Sequence, residues 1–590
     1  MRSETRSRAR FFAAIGWLLF SAPGPASVLP TCIGSVGNNY GYGYFVPASL
    51  NHGIARGSIF AVSTDVAQAT ASQDPPLQGS LAGVTIEVNV DGVTTQAIPY
   101  YVSPGQIVAI LPSATPAGTG TMTVASGGQT CSAPIQVVES AFGLMATADG
   151  AVGTAVAQNE SEGDERLSAT NAANPGETIA LFGSGLGPAP GDETQYQTPT
   201  DLTSIPVEVD IGGVSATVSF RGRTIYPGLD QIKVIVPAGV SGCNVSVVVT
   251  AGGAGGLPSN FAKIPVALSG RVCSDDPVLS PVTPEERQNL ASLASVNIGS
   301  ISLTNSTPVV ESPGVPRRPD LHWPVHGGSG TRTRSADWAY AAFQKYTAQD
   351  YASSGFLQEA SMGSCLVLVG VPLTGWTYFT PLDAGPWVDI IGPYGRVELT
   401  TAYPSFGDIY IEHASGSQLY PPGSAYPPGT LPPTIPPGGG TFTFENGSGG
   451  PGVGPFTATL TEDFTPPLRW TNRGQIRTVQ RGRGQLITWT GGAEGSYVEI
   501  SGYSYVSEAS GAANGTNYYI YFTCSAPVSA GQFKVPTAVL ESLPASTTEG
   551  RPSHGNLFVV NKAVQRFSAL GLDLGFLTIS MGSGISVPFE

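Results

Sequence analysis

Apolar and polar residues alternate strictly in "VTIEVNVDGV", Val84 to Val93, and the pattern returns 121 positions later in "IPVEVDIGGV", Ile205 to Val214. Strand neighbours point to opposite sides of a sheet, so period-two alternation predicts strands with one buried face. In the second copy that face comprises Ile205, Val207, Val209 and Ile211, then Ile232, Val234 and Val236. The correspondence extends along the chain. "GSIFAV" from Gly57 matches "GETIALFG" from Gly176, and "GQIVAILP" ending at Pro112 matches "DQIKVIVP" ending at Pro237. One structural unit is therefore expected twice, each time with a second sheet over its apolar face. Short strands punctuated by Gly and Pro over about 100 residues fit an immunoglobulin-like sandwich.

Further strands are predicted at "CLVLVGV", "WVDIIG", "RVELTTAY", "GTFTFENG", "FTATLT", "QLITWTGG", "SYVEISGYSYV", "YYIYFTC" and "LGFLTISM". The block Pro421 to Gly440 cannot donate a regular hydrogen-bond ladder and is expected to leave the sheet. The expected fold class is all-β: tandem immunoglobulin-like β-sandwiches followed by a larger β-sandwich-type C-terminal region. The units are placed at 41–140 and 141–270, and the C-terminal region at 336–590. Residues 274–335 read as linker with one short helix, "TPEERQNLASL", where Thr283, Pro284 and Glu286 supply a capping box and a proline in the first turn.

The segments "NPGETIALFGSGLGP", "VEVDIGGVSATV", "GLDQIKVIVPAGVSGCNVSVVV" and "PSNFAKIPVA" resemble the repeat of uncharacterised secreted acidobacterial proteins, related to IPT/TIG immunoglobulin-like domains. The match covers roughly 170 to 270. The first copy has "AVSTDVAQ" in place of "FGSGLGP". Through "LDAGPWVDIIGP", "LRWTNRGQIRTVQRGRGQLITWTGG", "FTCSAPVSAGQFKVP" and "GLDLGF" the C-terminal region is similar to the end of the same proteins. The resemblance implies an Ig-like fold and an extracellular setting, and brings no catalytic residues with it.

Composition sharpens this picture. Charged residues are 12% of the 590, while Gly at 76 and Pro at 50 favour turn-rich β-structure. A net charge of -15 opposes nucleic acid, which needs clustered Lys and Arg. Arg2, Arg6, Arg8 and Arg10 precede the apolar run Phe11 to Phe20 and the small-residue stretch "SAPGPAS". That is the pattern of an export signal over 1–26, with no transmembrane segment expected in the mature chain. Six cysteines in an exported chain predict disulfides, and position suggests Cys32 with Cys131, Cys243 with Cys273 and Cys365 with Cys524.

No catalytic constellation is assembled in the sequence. Ser184 in "FGSGLG" has Phe182 and Leu186 where a nucleophile elbow needs glycines. His322 and His326 flank Pro324, which argues against a zinc-binding helix, and His52, His413 and His554 are isolated. No calcium loop, metal site or cofactor is expected. Asp383, Asp389, Glu398 and Asp408 are candidates for a glycosidase pair or for solvated turns. Arg469, Arg473, Arg477, Arg481 and Arg483 could attract an anion or line a hairpin's polar side. Among many C-terminal aromatics, Trp376, Trp387, Trp470 and Trp489 are the candidates for a sugar-stacking platform, with strand packing as the alternative.

The expectation is thus a secreted or cell-surface, non-enzymatic protein, adhesive or matrix-interacting. The second reading is a carbohydrate-binding protein using the C-terminal aromatics, and the third a polysaccharide hydrolase. The partner classes are an extracellular polysaccharide or a surface protein.

Overall fold

The computed structural model describes residues 32–41, 53–147, 153–253, 255–310, 336–347, 359–370, 379–401, 418–420, 430–431, 435–436, 438–506, 518–548, 551–552 and 555–590. Residues 1–26, read above as an export-signal pattern, lie outside them, as does most of 421–440.

In the first unit the principal strands are β1 (Ile59–Thr64), β2 (Thr85–Val90), β3 (Val93–Ser103), β4 (Gly105–Ile110), β5 (Gly118–Ser126) and β6 (Gln129–Val138). Their order is β1-β4-β3-β2-β5-β6, with Ile33–Asn38 outside β1 and Ile54–Ala55 outside β6. The unit thus begins before residue 41. Strand β3 belongs to both layers. Residues Val93–Ala97 pair with β2 and Ile98–Ser103 with β4, with a register shift between Pro99 and Tyr101. A bulge bends its strand, and the two layers close over Phe60, Val62, Ile107 and Ala109 from one side and Ile86, Val88, Val90, Met122 and Val124 from the other.

The second unit repeats this plan. Strands β7 (Thr178–Ser184), β8 (Val207–Ile211), β9 (Val214–Arg223), β10 (Asp230–Ile235), β11 (Gly242–Ala251) and β12 (Ala262–Val266) take the order β7-β10-β9-β8-β11-β12. β9 changes layer as β3 does, with its shift between Val218 and Phe220. Both alternating strands end in a two-residue hairpin, Asp91-Gly92 and Gly212-Gly213, with all four residues at positive φ. That conformation follows the strand twist, and it explains the "DG" and "GG". Val209, Ile211, Ile232, Val234 and Val236 are buried as the alternation requires, while Ile205 and Val207 pack partly exposed at the rim.

The helix Pro284–Ala291 carries the expected capping box, Thr283 with Glu286. The remainder of the expected linker differs. Residues Ser295–Val310 form a 16-residue strand, β13, antiparallel to β14 (Ala336–Thr347) and parallel to the C-terminal strand. The segment "VPRRPDLHWPVHGGSGTRTRS" lies outside the described residues.

The C-terminal sheet continues through β15 (Cys365–Gly370), β16 (Trp387–Gly392), β17 (Gly395–Thr401), β18 (Gln418–Tyr420), β19 (Gly439–Glu445), β20 (Thr457–Asp463), β21 (Tyr497–Val506), β22 (Tyr518–Pro527), β23 (Gly555–Arg566) and β24 (Leu574–Val587). Their order is β15-β22-β21-β23-β24-β13-β14-β18-β17-β16-β19-β20. The sheet folds over on itself. Ile301, Leu303, Phe343, Leu577 and Ile579 share a core with Val388, Ile390, Leu399, Phe442, Phe444 and Leu460. At the other end a small sheet, Arg469–Trp470 with Gln485–Thr490 and Gln532–Val535, covers β21, β22 and β23. Disulfides join Cys32 to Cys131, Cys243 to Cys273 and Cys365 to Cys524, as position suggested.

Candidate functional site

The four tryptophans do not form one platform among the described residues. Trp470 and Trp489 lie directly opposite each other in the small sheet and are 9% and 3% exposed. Their indole N–H groups donate to Asn472 Oδ1 at 2.9 Å and to the Val528 carbonyl at 2.8 Å. Both face the core with Ile487, Phe522 and Val535, so their role is packing. Trp376 lies outside the described residues.

Trp387 is different. Val388 and Ile390 of β16 point into the core, which leaves Trp387, Asp389 and Ile391 on the opposite face. Register sets Glu398 of β17 and Glu445 of β19 directly across from Asp389, and Arg396 and Thr443 across from Ile391. Directly opposed side chains stand about 5 Å apart at Cβ. Three carboxylates therefore share one level of three adjacent strands. Beyond Thr443 the face continues into exposed threonines, Thr441, Thr459 and Thr461.

Arg396 organises this face. Its guanidinium donates to Asp389 Oδ2, lies 3.9 Å from Glu398 Oε2, and sits 5.8 Å from the centre of the Trp387 ring. The Asp389 hydrogen bond, with the charges of Asp389, Glu398 and Glu445, raises the guanidinium above its ordinary pKa. The arginine is 56% exposed, whereas the Asp389 side chain is fully buried and its Oδ1 has no hydrogen-bond partner among the described residues. The indole rests against Gly447, where a Cβ would lie 2.6 Å from Trp387 Cζ2 and φ is +60°. Only glycine lets the ring lie there.

The carboxylates singled out in sequence thus separate. Asp389 and Glu398 come together, Asp383 accepts from Gly385 N–H in a turn at 2.8 Å, and Asp408 is outside the described residues. Glu445 was missed. Its signal was the alternation in "GTFTFENG", whose pairing with β16 is not local. The arginine run also divides. Arg473 and Arg481 anchor loops through the Gly584 and Leu543 carbonyls at 2.9 and 2.7 Å, and burial lowers the pKa of both. Arg469, Arg477 and Arg483 are exposed.

"FGSGLG" has a structural task. Ser184 is buried at the seam between the two units, where its Oγ accepts from Ile59 N–H at 2.8 Å and donates to the Gly228 carbonyl at 2.7 Å. Gly185 and Leu186 N–H both donate to Asp230 Oδ2 at 2.8 Å, and Asp230 Oδ1 pairs with Arg223 at 2.8 Å. From the first unit, Asn38 donates to the Ala141 and Ser184 carbonyls, and Ser113 donates through its N–H and Oγ to Glu193.

A second polar cluster, which sequence reading missed, holds Lys562 between Glu359 at 2.6 Å and Glu499 at 2.7 Å under the Tyr497 ring. Burial alone would lower the lysine, and the two glutamates hold it well above its ordinary value. All five histidines lie outside the described residues. Among the described residues no group of three or more His, Cys, Asp or Glu is placed to hold a metal, and no helix is long and apolar enough to cross a membrane.

No family model matches the chain, and no curated protein matches it either. Solved structures with some likeness include the BSP domain of a biofilm associated protein, at 14% identity over 36% of this chain and 28% of that one, with a TM-score of 0.15. Another is SGBP-B of the Bacteroides ovatus mixed-linkage glucan utilization locus, in complex with a mixed-linkage heptasaccharide. It shows 11% identity over 85% and 98% of the two chains, with a TM-score of 0.12. The I9-I11 tandem of titin shows 9% identity over 49% and 89%, with a TM-score of 0.11. This chain spans 28% of the length of the first. Likeness at these scores carries no argument about function, and the fold class rests on the strands and sheets of this chain.

Proposed function

We propose that the protein is an extracellular, non-enzymatic, matrix-interacting protein that holds polysaccharide on the outer face of β16, β17 and β19, with the two Ig-like units as a stiff support. The observation that carries this is Trp387. Among the described candidates it is the tryptophan on the outer sheet surface, half-buried among polar side chains from three neighbouring strands. Sugar rings present apolar C–H faces that stack on such an indole, while hydroxyls bond the polar rim. The seam built on Ser184 and Asp230 supports the stiffness of the two units. Three disulfides fit an oxidising compartment, in keeping with the export-signal pattern and the resemblance of 170–270 to IPT/TIG-like domains.

Affinity electrophoresis of the full chain through soluble polysaccharides tests the proposal. Retardation by at least one of them, lost in Trp387→Ala with unchanged circular dichroism, is expected. Retardation equal in the variant would remove the site. Arg469, Arg477 and Arg483 favour no second reading, since two of the five arginines in that run are loop anchors.

A further inference from the structure

We infer that the Trp387 face selects a cationic amino-sugar polymer, and that Arg396 occupies the place of the sugar's ammonium group until ligand displaces it. The inference rests on the polysaccharide reading above and adds the charge of the ligand. Three observations converge on it. Among the described residues, the face carries Asp389, Glu398 and Glu445 at one level, with Arg396 as the cation beside them. One carboxylate oxygen there, Asp389 Oδ1, is buried on a fully buried side chain and has no hydrogen-bond partner among the described residues. And the cation already present lies over an indole, bonded to Asp389 and 3.9 Å from Glu398.

A guanidinium over an aromatic ring with carboxylates around it displays the chemistry the face rewards, namely a positive group above a flat apolar surface. A β-linked glucosamine unit has the same two parts, a protonated amine and an apolar ring face. Arg396 is 56% exposed and projects from the strand next to the hairpin Gly392–Gly395, so its side chain can swing outward without disturbing the core. Asp389 and Glu398 then receive the ammonium, and Trp387 receives the sugar ring. A uronic-acid polymer would meet three carboxylates and bind poorly. An N-acetylated polymer would stack but bring no cation to Asp389 and Glu398.

The test is titration calorimetry of the full chain with three probes: a β-1,4-linked glucosamine hexamer, its fully N-acetylated counterpart, and a hexamer of galacturonic acid. The glucosamine hexamer is expected to bind at least tenfold tighter than the N-acetylated one, and to weaken as salt rises. The chain carries a net charge of -15, so any cation gains some attraction. Trp387→Ala leaves that charge unchanged and is expected to cost tenfold or more, which separates the face from the general field. Glu398→Gln, at an exposed position, is expected to cost threefold to tenfold, whereas Arg396→Ala tightens binding severalfold by removing the competitor. Equal or tighter binding of the N-acetylated hexamer overturns the inference and leaves the polysaccharide reading standing. So does galacturonate binding that depends on Arg396, or weaker glucosamine binding in Arg396→Ala. Binding of none of the three overturns the amino-sugar inference, and failure with every polysaccharide in electrophoresis removes the reading beneath it.

Discussion

The two Ig-like units share a strand order, a layer-changing strand and a hairpin turn, yet they differ at one end, and that difference holds them together. In the first unit only Pro104 separates β3 from β4. In the second the loop Thr224–Leu229 separates β9 from β10. That loop lays Gly228 on the outer face of the first unit, where a Cβ would lie 2.7 Å from Ile59 Cγ1. Thr64 pairs with Gly105 as Gly183 pairs with Asp230, so Asp65 and Gly105 stand where the second unit has Ser184 and Asp230. A conserved plan of strands thus sets the fold of each unit, and a few side chains at one rim turn the second into a socket for the first.

The largest expected effect comes from breaking the units' unequal covalent closure. Cys32–Cys131 closes 99 residues of sequence and Cys243–Cys273 closes 30. On the chain-entropy estimate their loss costs about 4–5 and about 3–4 kcal/mol respectively. Paired Cys→Ser variants, followed by hydrogen exchange on β2 and β8, are expected to show the greater loss of protection in the first unit. Equal losses would point to enthalpic rather than entropic stabilisation.

Asp230→Ala tests the socket itself. It leaves the Arg223 guanidinium, 1% exposed, without its carboxylate, and orphans the N–H groups of Gly185 and Leu186. Breaking a buried pair in this way costs about 3–5 kcal/mol. A loss of that size in the unfolding free energy of the second unit, read from its denaturant transition, is expected, together with faster exchange at Ile59. Gly105→Ala in the first unit breaks no such pair, though its φ of +95° adds local strain.

Acid gives the two units different fates. Glu177 accepts from Arg271, from Asn174 N–H and from Asn159, and the Arg271 bond leads in holding its carboxyl down at about 2. The counterpart in the first unit is Ser58, which does not titrate there. A carboxylate with a depressed pKa contributes stability that is present above its unfolded value of 4.5 and is lost as pH falls from there toward 2. With the side chain 17% exposed, the contribution is about 2–3 kcal/mol. Burial raises the Asp230 carboxyl from 3.8 to about 6, which favours the second unit as pH falls to 3.8 and changes little below it. Thermal scans from pH 3.8 down to 2 should therefore show that unit's transition falling more steeply than the first's. Glu177→Gln should flatten that slope, and an unchanged slope would assign the acid response elsewhere.

Much of this architecture was legible in the sequence because period-two alternation is local. Val84–Val93 and Ile205–Val214 carry their buried face in the spelling, and Thr283 with Glu286 carries a helix start. Ser295–Val310 escaped for a physical reason. Val296 and Ile298 face one cluster, with Tyr346 and Phe576, while Ile301 and Leu303 face another, with Phe343 and Leu577. The buried side changes after Ile298, so the alternation falls out of phase and the segment reads as linker. The Trp387 face was half legible. Asp389 and Glu398 lie in one hairpin, but Glu445 reaches them only through pairing across more than fifty residues. Trp489 alternates in phase with Ile487, but the sequence does not say which face of that strand is covered, and the structure buries both.

The smallest effect is the sharpest comparison, because Ser184 and Asp65 occupy matching places. Ser184→Ala removes one hydroxyl but strips the buried Ile59 N–H of its acceptor. An unsatisfied buried donor costs about 1–3 kcal/mol. Asp65→Ala removes an exposed carboxylate and should stay within about 0.5 kcal/mol. The first loss should register at Ile59, in the unit that does not contain the mutation, as faster amide exchange. A loss confined to β7 would mean that Ser184 only closes its own strand end. Exchange at Ile59 that tracks the Ser184 variant and ignores the Asp65 variant would place the coupling of the two units in the hydroxyl of a Gly-rich segment that lacks the glycines of a nucleophile elbow.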